Sequence, residues 1–346
     1  MIRVLIVEDS ITQREILRRM LTQDGQFSIV GEARNGHEAV AMVKELTPDV
    51  VLMDIHMPGM NGVDATREIM QQCPVPIVVA SATLRKADID WAMKAYEAGA
   101  VSVIEKPSGA VLLHLQELAP VLRNELLAAS KSKVRQLPRG PAAVSSKAAS
   151  ERASGRRTFR PAKVIGICAS TGGPPVLLEL LSALPKPFPV PVLLVQHISR
   201  GFEEGFSRWL STTSGQRVQL AAPGQKLEPG IWLAGGGRHL MLGSPTRLDL
   251  LPGGPAEIHC PSGNPLFASL ARHLGAQAAG VILTGMGDDG ATGLLALKQA
   301  GGITIVQDEA SCLIFGMPKA AQEKGAAGHV LNIAGIVKAL EQMART

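Results

Sequence analysis

AKVIGICASTGGPPVLLELLSAL, residues 162–184, decides how the larger half of this chain folds. Its first eight residues are almost continuously apolar, the pattern of a strand covered on both faces of a parallel sheet. A turn with Ser170 followed by Thr171, Gly172 and Gly173 comes next. Pro174 and Pro175 then suit the first turn of a helix, where the backbone N–H they lack would be unpaired in any case. A serine at such a junction lies beside unpaired helix N–H groups that can stabilise an oxyanion, and the glycines let a substrate approach the backbone. The turn matches neither the dinucleotide-binding fingerprint nor the phosphate-binding P-loop, and no lysine follows it. It also differs from the GxSxG elbow of common esterases.

A hydroxyl is a weak nucleophile, so a reactive serine requires a base that an acid holds in place. PVPVLLVQH (189–197) ends a predicted strand at His197, and VILTGMGDDGATG (281–293) ends another near Asp288 and Asp289. Sites in such sheets form at the carboxyl ends of the strands, so all three motifs are expected on one edge. His239, in the glycine-rich LAGGGRHLML, is the second candidate base, and spacing does not separate Asp288 from Asp289.

The amino-terminal half repeats the strand and helix alternation. IRVLIV opens it, and strands are expected at about 49–53, 76–80 and 100–104. Both halves are therefore expected to be α/β, doubly wound parallel sheets, with domains at 1–127 and 161–346 joined by a tether over 128–160. Polar residues again fall at strand ends: Glu8 and Asp9, Asp54, Ser81, and Lys106. Converging carboxylates call for a hard cation such as Mg²⁺, which also neutralises an incoming phosphoryl group. Asp54 is then the nucleophile toward phosphorus, with Lys106 and Ser81 placed to meet the phosphoryl oxygens.

The net charge of +5 is concentrated in one segment. Residues 131–163 carry ten Lys and Arg against Glu151, a local +9 that leaves −4 for the rest. The segment is rich in Ser, Ala, Pro and Arg and reads as a flexible tether rather than a nucleic-acid arm, since no DNA-reading motif flanks it. MIRVLIVEDS lacks the features of a signal peptide, and no apolar run reaches membrane-spanning length, so a cytoplasmic chain without membrane insertion is expected. Cys73, Cys168, Cys260 and Cys312 are scattered without a zinc or disulfide pattern and are expected to stay reduced.

IVEDS, LMDIHMPGMNG, VVASAT and IEKP resemble the four signature segments of two-component receiver domains. The resemblance implies phosphorylation of Asp54 by a histidine kinase, Mg²⁺ held by Asp9, Asp54 and the His56 backbone with Glu8 assisting, and Ser81 and Lys106 as the switch pair. Val103 stands where many receivers carry a switching aromatic residue. After the tether, ASTGG, VQH, LTGMGDDGATG and SCLIFGMPKAA resemble the catalytic domain of the CheB-type chemotaxis methylesterases. That resemblance implies Ser170 as nucleophile, His197 as base and then acid, and Asp289 as the orienting carboxylate. Thr171 and the Met286 backbone N–H are implied as oxyanion donors. The implied substrate is a chemoreceptor glutamate methyl ester, hydrolysed without a cofactor, with glutamine deamidation in some members. Competing classes are a receiver-controlled binding module without catalysis and a nucleic-acid-binding regulator. Four positions depart from the family pattern: Cys168 replaces glycine, Ser199 and Gly236 replace prolines, and Asn264 in EIHCPSGNPLF (257–267) replaces an acid.

Overall fold

The computed structural model describes residues 1–81, 86–106, 115–134, 136, 158–254 and 259–345. The first sheet contains β1 (Ile2–Val7), β2 (Phe27–Ala33), β3 (Val50–Asp54), β4 (Ile77–Ser81) and β5 (Ser102–Glu105), in the order β2-β1-β3-β4-β5. All its ladders are parallel. Helices α1 (Ile11–Thr22), α2 (Gly36–Leu46), α3 (Gly62–Gln72), α4 (Lys86–Glu97) and α5 (Leu115–Ser130) connect and cover the strands. Val4 to Val7 and all five residues of β3 are buried, which explains why these strands show no polar alternation. Ser10 caps α1 by accepting from the Gln13 N–H, so Glu8 and Asp9 occupy the short turn between β1 and that helix.

The second sheet orders its strands β14-β13-β12-β6-β7-β9-β8. Its centre is β6 (Val164–Ala169), flanked by β7 (Pro191–Gln196) and β12 (Ala278–Ile282). Outer strands are β8 (Val218–Leu220), β9 (Gly230–Leu233), β13 (Ile303–Gln307) and β14 (His329–Leu331). The main helices are α6 (Gly173–Ala183), α7 (Glu203–Ser214), α8 (Gly263–His273), α9 (Ala291–Gln299), α10 (Met317–Glu323) and α11 (Ile333–Met343). An antiparallel hairpin of β10 (Arg238–Ser244) and β11 (Arg247–Pro252) adds to this frame. Its strands lay outside the sequence-based expectation. Leu240, Leu242 and Leu248 of the hairpin pack into the same buried cluster as Leu266, Phe267 and Leu270 of α8.

The ends of the expected tether belong to the two domains. Helix α5 runs through Ser130, and the Lys133 N–H donates to the Leu313 carbonyl at 3.1 Å. The Phe159 N–H donates to Gln342 Oε1 of α11 at 2.9 Å. Most of the basic stretch, residues 137–157, lies outside the described residues, as do Glu257 and Ile258 of the altered loop.

The two domains share an apolar contact. One buried cluster passes through Ile89 and Tyr96 of α4 to Phe206 and Trp209 of α7. Tyr96 and Trp209 lie with ring centroids 6.3 Å apart, and the Trp209 indole N–H donates to Glu97 at 2.8 Å. An aromatic contact of this kind adds about 0.5–1.5 kcal/mol beyond its buried area.

Candidate active site and phosphoacceptor site

Ser170, His197 and Asp289 follow the three adjacent strands β6, β7 and β12, and the structure brings their side chains together. Ser170 Oγ is 3.0 Å from His197 Nδ1, and His197 Nε2 is 2.8 Å from Asp289 Oδ2. Ser170 and Asp289 are buried, with the imidazole slightly more open between them.

Asp289 fixes the direction of this relay. Burial works against its charge, but hydrogen bonds from His197, Ser262 and the Gly263 N–H prevail and hold its carboxyl well below the usual carboxylate range. Ser262 Oγ and Asn264 Nδ2 donate to Oδ1 at 2.5 and 3.2 Å, while the Gly263 N–H donates to Oδ2 at 2.7 Å. The carboxylate also lies at the amino end of α9 and faces that of α8, where helix dipoles favour negative charge. An ionised carboxylate only accepts hydrogen bonds, so the bonding proton resides on Nε2. With that proton on Nε2, Nδ1 can accept from the Ser170 hydroxyl.

The turn at Ser170 is shaped by its glycines. Gly172 adopts a left-handed φ of 76°, and a Cβ on Gly173 would come 2.1 Å from Gln196 Oε1. The Gln196 amide holds the turn through the carbonyls of Ser170 and His197, at 2.9 and 2.8 Å. Gly285, next to Met286, passes so close that a Cβ there would lie 2.7 Å from Ser170 Cβ. Met286 therefore belongs to the loop beside Ser170. Thr171 Oγ1 instead donates to Glu125 Oε2 of α5, at 3.4 Å.

His239 does not contact the serine among the described hydrogen bonds. Its Nδ1 accepts from the Ser262 N–H at 3.1 Å, placing it behind Asp289's partners. Asp288 is exposed, whereas Asp289 carries the contact to His197. Sequence reasoning missed Ser262, Gln196, Glu125 and His259. Asn264, noted only as a departure, proves to be an Asp289 ligand. The ring of His259 stacks on His197 with centroids 4.3 Å apart and an interplanar angle of 8°. Burial and the neighbouring His197 lower the His259 pKa. Only the adjacent ASTGG and VQH motifs offered a signal, since Gln196 lies within one of them.

In the first domain, Lys106 Nζ lies 2.5 Å from Glu8 Oε2 and 3.1 Å from Asp54 Oδ2. Burial pushes the carboxyls of Glu8 and Asp54 up, with only part of that effect offset by Lys106. For Lys106, burial opposes the charge, but both carboxylates outweigh it and raise its pKa. Oxygen atoms of Glu8, Asp9 and Asp54 all lie within 4.8 Å of one another. Asp54 Oδ1 and Ser81 Oγ are buried without a hydrogen-bond partner among the described residues. That donor set fits a hard divalent cation. His56 follows in the loop after β3, and Val103 occupies β5, its N–H donating to the Tyr96 hydroxyl at 3.2 Å.

No helix among the described residues is long and apolar enough to cross a membrane. Residues 165–340 match the CheB methylesterase family, and residues 4–116 match the response regulator receiver domain. A protein-glutamate methylesterase/protein-glutamine glutaminase from Myxococcus xanthus is 39% identical over 344 residues, covering 99% of this chain and 93% of the relative. One from Geobacter metallireducens is 41% identical over 349 residues, covering 99% of both. The catalytic domain of Thermotoga maritima CheB methylesterase superposes with a TM-score of 0.51 at 34% identity, covering 53% of this chain and 98% of that one. Matched nearly end to end by methylesterases and at its amino end by receivers, the chain belongs to the CheB methylesterase family.

Proposed function

We propose that the chain hydrolyses glutamate γ-methyl esters on a chemoreceptor, under control of phosphorylation at Asp54. The contact of Ser170 with His197, backed by Asp289, carries this reading. Ser170 attacks the ester carbonyl as His197 Nδ1 takes its proton, and the separate turns carrying Thr171 and Met286 supply oxyanion donors. The tetrahedral intermediate collapses to an acyl-enzyme while His197 returns the proton to the departing methoxide, releasing methanol. Water then repeats the sequence and frees the glutamate carboxylate. Glutamine on the same receptor would follow this route with ammonia as leaving group.

A histidine kinase is the proposed phosphodonor. Glu8, Asp9, Asp54 and the His56 backbone would hold Mg²⁺, which supplies charge neutralisation to the phosphoryl group. Ser81 and Lys106 would receive the phosphoryl oxygens. The receiver covers the esterase site in this structure, supporting an inhibited resting form: the Gly172 N–H donates to the Val101 carbonyl at 3.2 Å. Glu125 of the receiver engages Thr171 and is also reached by the Ser102 hydroxyl. Phosphorylation adds a charge of roughly −1.5 to −2, enough to bias an interface balanced within a few kcal/mol.

The test is methanol release from a methylated chemoreceptor fragment by the full-length protein. Ser170→Ala should lower it by ~10⁴-fold or more while leaving Asp54 phosphorylation intact. Retained release would remove Ser170 as the nucleophile.

A further inference from the structure

Cys168 stands one residue from the end of β6, where the family resemblance has glycine. Its Sγ is fully buried and lies 3.7 Å from Asp289 Oδ2, behind the contact between Asp289 and His197. The sulfur, a His197 nitrogen and an Asp289 oxygen all lie within 4.8 Å of one another. We propose that Cys168, His197 Nε2 and Asp289 Oδ2 form an inhibitory site for a thiophilic divalent cation, of which Zn²⁺ is the type.

The donor chemistry supports the choice. Zinc takes sulfur at about 2.3 Å and nitrogen or carboxylate oxygen at about 2.0–2.2 Å, so small side-chain shifts would bring these three donors around one ion. A thiolate and a carboxylate together balance the charge of a divalent ion, giving a neutral assembly where an uncompensated charge would be costly. Burial and the adjacent Asp289 hold the Cys168 thiol well above its ordinary range, which keeps it inert without metal. Metal binding would release that thiol proton to solvent. A cavity of about 170 Å³, lined in part by His197, His259 and Cys260, gives an entry to the imidazole.

Inhibition follows from the proton count. In the resting site Nε2 carries the proton and Nδ1 accepts from Ser170. A cation on Nε2 displaces that proton, and neutral imidazole must then carry it on Nδ1. Nδ1–H donates to Ser170 Oγ and no longer accepts its proton, so the serine loses its base. The glycine usual at this position would leave only nitrogen and oxygen donors.

The experiment uses Co²⁺ and Zn²⁺ on full-length protein carrying Asp54→Asn, which removes a ligand of the receiver's acidic cluster. Co²⁺ should produce a near-ultraviolet thiolate-to-cobalt absorption band that Zn²⁺ displaces. Cys168→Gly and Cys168→Ser should each abolish the band, whereas Cys260→Ser should retain it. Zn²⁺ should slow methanol release at least tenfold, reversibly with chelator, and sensitivity should fall at least tenfold in both Cys168 variants, each compared with its own metal-free rate. Absence of the band, or its loss in Cys260→Ser alone, overturns the site whatever substrate Ser170 acts upon. Equal zinc sensitivity with and without Cys168 also overturns it.

Discussion

Asp54 closes a central parallel strand and Asp289 follows another, and both are buried, yet their surroundings differ. Asp289 accepts hydrogen bonds from His197, Ser262, Gly263 and Asn264, and its charge is strongly favoured. Burial raises the pKa of Asp54, and Lys106 together with backbone hydrogen bonds from Ile55 and His56 offsets that only in part. The first carboxylate accepts hydrogen bonds on both oxygens and suits an orienting role. The second keeps its charge less well supported, which suits the cation- and phosphoryl-accepting role proposed for it. Similar strand-end positions thus serve different chemistry through the number of donors aimed at them.

The largest effect should come from removing charge at the filled site. Asp289→Asn should lower kcat for methanol release by ~10⁴-fold, because an amide can orient His197 with the wrong nitrogen protonated. A loss below tenfold would erase the distinction drawn between the two aspartates. The same change at Asp54 should abolish stimulation by a phosphodonor while leaving unstimulated hydrolysis within about twofold, as measured in paired assays. Stimulation that survives Asp54→Asn would move the phosphoacceptor elsewhere. Glu125→Ala, which takes the receiver's carboxylate off Thr171, should raise unstimulated hydrolysis several-fold and shrink the phosphodonor response. Unchanged rates would show that Glu125 is a bystander to inhibition.

Stability gives the smallest signals, and they should have opposite signs. Asp289 has a depressed folded pKa, so its charge stabilises the fold above the ordinary carboxylate pKa and that contribution is lost as pH falls through the folded value. At neutral pH Asp289→Asn leaves buried donors poorly paired, at a cost of about 1–3 kcal/mol or roughly 2–10 °C in Tm. Asp54 has a raised pKa, so its charge opposes folding above its ordinary pKa, and protonation relieves this as pH falls through the raised value. Asp54→Asn should therefore raise Tm at neutral pH, with Lys106 still paired to Glu8. Thermal melts of the two variants at pH 7 compare the sites directly.

The positions of the candidate site residues were legible because each lies at or just beyond the end of a recognisable strand. Ser170 follows a glycine-turn junction, His197 ends an apolar run, and Glu8, Asp54, Ser81 and Lys106 mark successive strand ends. The choice between Asp288 and Asp289 was not legible from periodicity, since both occupy one turn and differ only in which side chain faces inward. Ser262 and Glu125 were hidden for a different reason. Ser262, the cap of α8, reaches Asp289 from 27 residues away, across α8 and β12. Glu125 lies 46 residues before Thr171 and acts across a domain boundary that local sequence cannot align. The β10–β11 hairpin was not legible because buried His239 beside Leu240 breaks the polar and apolar alternation that marks a half-buried strand.

Gly205 of α7 meets Ile89 of α4 so closely that a Cβ would lie 1.8 Å from Ile89 Cγ2. The seam between sensor and enzyme therefore has a clearance smaller than one methyl group. Under the control proposed for Asp54, Gly205→Ala would be a one-step path from a signal-dependent enzyme to one that runs continuously, with Ser170, His197 and Asp289 untouched.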